Sequence, residues 1–171
     1  MRTIRTKVYK FDELTHEIKS KIIEKQYDIN VIDEWWESTY EDAANIGLKI
    51  TSFDIDRASY CKGEFNLAAC EVAANIFRDH GEQCETYKTA QSFMDEWQPI
   101  FNDYMDENHV DYESSESEST MIEMEDEFTK SLCEDYRIIL SKEYDYLTSI
   151  EAIKQTIISN EYEFTQDGKM I

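Results

Sequence analysis

Asp54, Asp56 and Glu64 are residues whose types and spacing could do chemistry. Asp54 and Asp56 stand two apart in a strand-like run. Period-two alternation therefore puts both carboxylates on one face, with Glu64 available on the neighbouring run. Three converging carboxylates would suit Mg²⁺ or Mn²⁺, and two-metal hydrolases work with such groups. The same pattern describes the solvent-facing edge of a half-buried hairpin, with Arg57 and Lys62 as nearby counter-charges. In a chain with 38 acidic residues among 171, clusters of this kind arise by chance, and the hairpin edge is the reading adopted. No metal and no cofactor is expected, and a divalent-metal-dependent enzyme using this carboxylate cluster is kept as an alternative.

A second constellation is His80-Gly-Glu-Gln-Cys84. A thiol beside an imidazole is activated as a nucleophile, but no third orienting group accompanies this pair. Zinc would need two more ligands, and Cys61 and Cys70 fall into no recognised spacing. His80 shares the inward side of its helix with Ile76 and Phe77, the usual place of a hydrogen-bonded core histidine. The chain has no glycine-rich phosphate loop, no HExxH and no GxSxG, and only four glycines in all. We expect no catalytic residue.

Charge is the stronger signal. Between Lys88 and Lys130 lie forty-one residues without a lysine or arginine, thirteen of them acidic. Residues 1–88 carry 12 basic and 17 acidic side chains, residues 89–171 only 5 and 21, for a net charge of −21. A field of that sign repels nucleic acid and membrane and attracts basic protein surfaces. The candidate partner-binding residues are Asp95, Glu96, Asp103, Asp106, Glu107, Asp111, Glu113, Glu123, Glu125, Asp126 and Glu127. Adjacent tryptophans cannot share one direction, so one of Trp35 and Trp36 is expected near the surface as a second anchor.

These acids need ordered elements to hold them. Met94, Trp97, Phe101 and Tyr104 keep helical register in a helix opening near Thr86, which Pro99 should kink or restart. Asn108–Thr120 is a serine- and acid-rich break, expected as a mobile loop. Met121 to Leu147 then forms a helix of about 27 residues, roughly 40 Å long.

Further helices are expected from Asp12 or Thr15 (Ile18, Ile22, Ile23 and Tyr27 inward), after Asn30 (Ile32, Trp35, Trp36, Thr39, Tyr40 and Ala43 inward) and after Asn66 (Ala69, Val72, Ala73, Ile76 and Phe77 inward). Another is expected from a capping box at residues 148–151 (Ile150, Ile153 and Ile157 inward). Gly47 sits where a left-handed helix stop belongs. Residues 48–56 and 59–65 read as a hairpin. A first strand at Ile4 and Lys7–Phe11 and a last one at 162–165 should complete one sheet.

The expected fold class is α+β, mostly helical: a small antiparallel sheet packed by five to six helices in a single domain, 1–171. Aromatic content argues against global disorder. The basic N-terminus lacks the apolar run of a secretory signal, and no stretch approaches the ~18 apolar residues of a membrane span. The four cysteines are therefore expected as reduced thiols in a cytoplasm.

Residues 35–65 (WWESTYEDAANIGLKITSFDIDRASYCKGEF), HGEQCETYKTA (80–90), EDYRIILSKEYDYLTSIEAI (134–153) and NEYEFTQDGK (160–169) resemble a family of small acidic proteins carried by bacteriophages and prophages, some labelled antitoxin-like. The likeness is weakest over 108–125. It implies a non-enzymatic accessory protein in the bacterial cytoplasm, of the anti-defence or anti-CRISPR type. The partner so implied is a larger basic protein, a nuclease effector of bacterial immunity such as an RNA-targeting type VI enzyme, with no direct nucleic acid and no membrane. The alternative is an antitoxin-like binder that neutralises a toxin.

Overall fold

The computed structural model describes residues 7–107 and 114–171, except for the side chains of 106, 107 and 114–117. In chain order it contains β1 (Tyr9–Lys10), a 3-10 turn (Phe11–Glu13), α1 (His16–Lys25), α2 (Glu37–Ile46), β2 (Leu48–Asp54) and β3 (Tyr60–Phe65). These are followed by α3 (Ala69–Asp79), α4 (Glu85–Glu107), α5 (Ser114–Leu147), α6 (Ile150–Ser159) and β4 (Glu163–Phe164). The fold is mostly helical α+β, as expected. No described helix is long and apolar enough to cross a membrane. By its backbone contacts the chain divides into two compact units, Met1–Trp35 with Lys142–Ile171, and Trp36–Ser141.

In the first unit the chain ends meet. β1 and β4 pair antiparallel, Tyr9 opposite Phe164 and Lys10 opposite Glu163. The strand expected from Ile4 to Phe11 is only two residues long within the described part, because Phe11 already enters the 3-10 turn. Phe11, Leu14, Ile22, Ile153, Ile157 and Phe164 form the core, with Phe11 edge-on to Phe164 at 6.4 Å. Ser149 caps α6, accepting a hydrogen bond from the Ala152 amide. Ile150 nevertheless faces solvent, since the buried stripe falls on Ala152, Ile153 and Ile157.

Asn30, expected to open a helix, donates instead to the Leu147 carbonyl and accepts from the Thr156 hydroxyl. With its amide committed to those bonds, and with β-branched Val31 and Ile32 weak helix formers, the chain stays in turns until Glu37. Ile32 is exposed rather than inward.

The second unit is built on the hairpin. Leu48 pairs with Phe65, Lys49 with Glu64 and Asp54 with Tyr60, with a bulge between Ile50 and Ser52. The hairpin is its own two-stranded sheet and does not join β1 and β4. α2 and α3 pack on it and on each other through Ala43, Ile46, Val72, Ala73 and Ile76, all fully buried. Ala68 rather than Asn66 precedes α3, its amide donating to the Glu71 carboxylate. α4 runs unbroken through Pro99, which loses one ladder bond, to the carbonyl of Asp95 on an exposed stretch. α5 is helical from Ser114, so the break expected over 108–120 is shorter at its C-terminal side, while residues 108–113 lie outside the described part. Acids such as Glu118 in the early turns suit the positive end of the helix dipole.

Gly47 terminates α2 at φ +97°. A Cβ there would lie 2.8 Å from Leu67 Cδ1 and 3.3 Å from Val72 Cγ2. The left-handed backbone alone costs an L-residue about 1–2 kcal/mol. Gly47→Ala should therefore lower stability in urea unfolding by about that amount, and an unchanged midpoint would contradict this account of the α2 stop.

Candidate functional site

The three strand carboxylates do not converge. Register places Asp54 opposite Tyr60 at the turn end of the hairpin, while Glu64 faces Lys49 at the other end. Glu64 is bound there by Lys49 Nζ at 2.8 Å. Asp54 Oδ1 accepts the Asp56 amide at 2.7 Å, closing the chain on itself at the turn. No group of three metal-ligating side chains occurs among the described residues.

His80 and Cys84 are also separate. His80 Nδ1 shares a hydrogen bond with the Thr86 hydroxyl at 2.7 Å. Its Nε2 points towards Asp42 Oδ1 at 3.5 Å, an ion-pair distance without hydrogen-bond geometry. Asp42 also accepts from the buried Tyr136 phenol at 2.8 Å. The histidine and phenol contacts hold the Asp42 carboxyl below its ordinary value against partial burial. Asp42, His80, Thr86 and Tyr136 thus tie α2, the end of α3, the start of α4 and α5 together. Cys84 is exposed beside this network and Cys133 is buried. The nearby Cys133 thiol and burial push the Cys61 thiol up. Both Trp35 and Trp36 are half-buried, each against its own ring, Tyr144 and Phe53, so neither stands out as the exposed anchor.

The acids of α4 and α5 do come together in part. A cleft of about 570 Å³ opens between the two helices. Thr89, Ser92, Phe93 and Glu96 line it from α4, and Thr120, Glu123, Met124, Glu127, Phe128 and Ser131 from α5. Both sets follow the three-four spacing of a single helical face. The backbones of α4 and α5 rarely approach within 8 Å, and large rings fill the gap. Phe93 lies flat on Phe128 at 4.2 Å and 2°, and Phe128 meets Phe65 of β3 at 5.3 Å. Trp97 continues the row, stacked on Phe101 at 4.6 Å. This aromatic floor is buried, and the walls above it are hydroxyls and carboxylates.

Glu96 and Glu123 are exposed and have no hydrogen-bond or ion-pair partner among the described residues. Glu127 has only Lys130 Nζ, at 3.9 Å and largely in solvent, a pair of little energetic weight. Of the other expected partner-binding acids, Asp95 is exposed off the cleft and bound by Gln91 Nε2. Asp126 is exposed, does not line the cleft and lies 3.9 Å from Lys130 Nζ, and Asp103 is exposed two turns beyond Glu96. Glu125 does not belong to the exposed set: it is half-buried, and burial pushes its carboxyl up. The side chains of Asp106, Glu107, Asp111 and Glu113 lie outside the described residues.

Sequence reasoning missed the hydroxyls and the floor. Their signal was present in Thr89, Ser92 and Phe93 standing on the stripe of Glu96, and in Ser131 on that of Phe128. No family model, no curated protein and no solved structure matches this chain. The resemblance to phage accessory proteins rests on its sequence blocks alone.

At one end of the same helix pair Thr89 Oγ1 donates to Asp135 Oδ2 at 2.7 Å. Burial, and then Glu85 and Glu134, push the Asp135 carboxyl up against that bond. An acid with a raised folded value opposes folding once ionised. The cost is absent below the ordinary value of 3.8 and grows as pH rises through the folded value. Asp135→Asn keeps an acceptor for Thr89 and removes the charge. It should raise stability at pH 7 by less than about 1 kcal/mol for a half-exposed group, read as a higher thermal midpoint, and leave the midpoint unchanged near pH 3. Destabilisation at pH 7 would contradict this.

Proposed function

We propose that this protein is a non-enzymatic binder that engages a basic protein surface through the acidic sides of α4 and α5. The observation that carries the reading is that carboxylates sit on ordered helices around a cleft, two of them, Glu96 and Glu123, without a partner among the described residues, and no lysine or arginine lies between Lys88 and Lys130. Free acids on a tail would mainly keep a protein soluble. Acids held in place on a packed scaffold keep their mutual arrangement, so a partner's cations meet a preset pattern. Complementary charge speeds encounter and makes binding sensitive to salt.

In its fuller form, which draws on the resemblance to phage accessory proteins, the partner is a nucleic-acid-guided nuclease of bacterial immunity, with an RNA-targeting type VI effector as the particular case. Such an enzyme must carry a basic channel for its guide and target. An acidic domain seated there would inhibit by occupying the path of the nucleic acid, needing no catalysis.

The test begins with affinity capture from bacterial cells at physiological salt, followed by cleavage assays on any nuclease retained. The native protein should hold a basic nucleic-acid enzyme and suppress its cleavage. A variant with Asp95, Glu96, Asp103, Glu123, Asp126 and Glu127 changed to serine and lysine should release the enzyme and restore activity by about tenfold or more. Undiminished capture and inhibition by that variant would overturn the acidic-face reading.

A further inference from the structure

Building on that reading, we infer that the α4–α5 cleft is a receptor for arginine side chains presented by a segment of the protein partner. The cleft combines three features that single out this side chain. Glu96 stands on one wall and Glu123 and Glu127 on the other, so a cation between them meets carboxylates from both sides. Its floor is Phe93, Met124 and Phe128, apolar and polarizable. Ser92 and Ser131 add hydroxyl acceptors along the rim.

A guanidinium fits all three. It is planar and weakly hydrated, so it gives up little water over an apolar floor, and it spreads five donors in one plane for carboxylate and hydroxyl oxygens. An ammonium is compact and strongly hydrated, and would give up water over a floor that returns little. The cleft lining extends from Thr89 to Glu96 on α4 and from Thr120 to Ser131 on α5, about 10 and 16 Å at the helical rise. One side chain does not fill that length. Two arginines a helical turn apart on a partner segment do, and the apolar stems lie along the floor.

Charge supplies the driving force. Glu123 and Glu127 are four apart on one helix, an arrangement that like charge disfavours by a few tenths of a kcal/mol. Glu96 and Glu123 have no cation of their own among the described residues. A bound guanidinium would relieve a repulsion that, among the described residues, only the exposed Lys130 beside Glu127 offsets.

The experiment titrates isotope-labelled full-length protein, followed by amide chemical shifts, with an alanine-leucine peptide carrying two arginines four residues apart. The arms are its lysine counterpart, its glutamate counterpart and spermidine. Two double variants with equal charge loss are compared, Glu96→Gln with Glu123→Gln in the cleft, and Asp95→Asn with Asp126→Asn outside it. The arginine peptide should shift amides of 89–96 and 120–131, and bind more tightly than the lysine peptide or spermidine. It should weaken about tenfold in the cleft variant and no more than about twofold in the outer one. Equal weakening in both variants would overturn the cleft while leaving the broad acidic face standing. Lysine peptide or spermidine binding as well as arginine would overturn the arginine assignment. No binding of any cation would sink both the cleft and the function proposed above. Removing glutamates from a like-charged helix pair relieves repulsion, and a thermal melt of each variant confirms that it folds.

Discussion

The second unit depends on one constraint: two strongly acidic helices must lie side by side with no lysine or arginine over the forty-one residues between Lys88 and Lys130. Coulomb repulsion works against that arrangement at every pH where the carboxylates are ionised. What holds the helices is aromatic packing. Phe93 lies flat on Phe128, which meets Phe65 of the hairpin, and Trp97 and Phe101 prolong the stack. Aromatic pairs of this kind contribute about 0.5–1.5 kcal/mol each beyond the area they bury. Because the rings act as spacers, the helix backbones stay apart and leave a cleft above the floor. Packing and charge thus produce the site jointly.

A polar network in the same unit adds a second fastening. Asp42 accepts from Tyr136 and faces His80, which in turn bonds Thr86 at the start of α4. These contacts fasten α2, the end of α3 and the start of α4 to α5. Here His80 bonds Thr86 through Nδ1 and only faces Asp42 with Nε2, and Cys84 is exposed. Tyr136 and Asp135 are consecutive on α5, one fully buried and one half-buried. Burial pushes both the Asp135 carboxyl and the Tyr136 phenol up.

Much of this was legible from residue spacing, and the failures have physical causes. Period 3.6 located α1, α3, α4 and α5, and a glycine after Ile46 marked the left-handed stop, since few other residues tolerate it. Alternation located the hairpin, but not that it stays separate from the paired chain ends. Strand pairing is a long-range choice that local pattern does not encode. The start of α2 was misplaced because Asn30 bonds residues more than a hundred positions away. The serine-acid run read as loop by composition, yet helix continues from Ser114, where acids meet the favourable end of the dipole. For the candidate site, charge counting gives Glu96, Glu123 and Glu127 only as three of eleven acids. Only geometry separated those facing the cleft from Asp95 and Asp126 outside it and the half-buried Glu125.

The central claim is that repulsion across the α4–α5 cleft is offset among the described residues only by the solvent-exposed Lys130 beside Glu127. Its most direct test is the thermal midpoint at pH 7 as sodium chloride is raised from about 0.01 M, where screening reaches about 30 Å, to about 0.15 M, where it falls to about 8 Å. The account predicts a rising midpoint in the native protein, and a visibly smaller rise when Glu96, Glu123 and Glu127 are all changed to glutamine. A midpoint that is flat or falls with salt, or a rise untouched by those three substitutions, would contradict it.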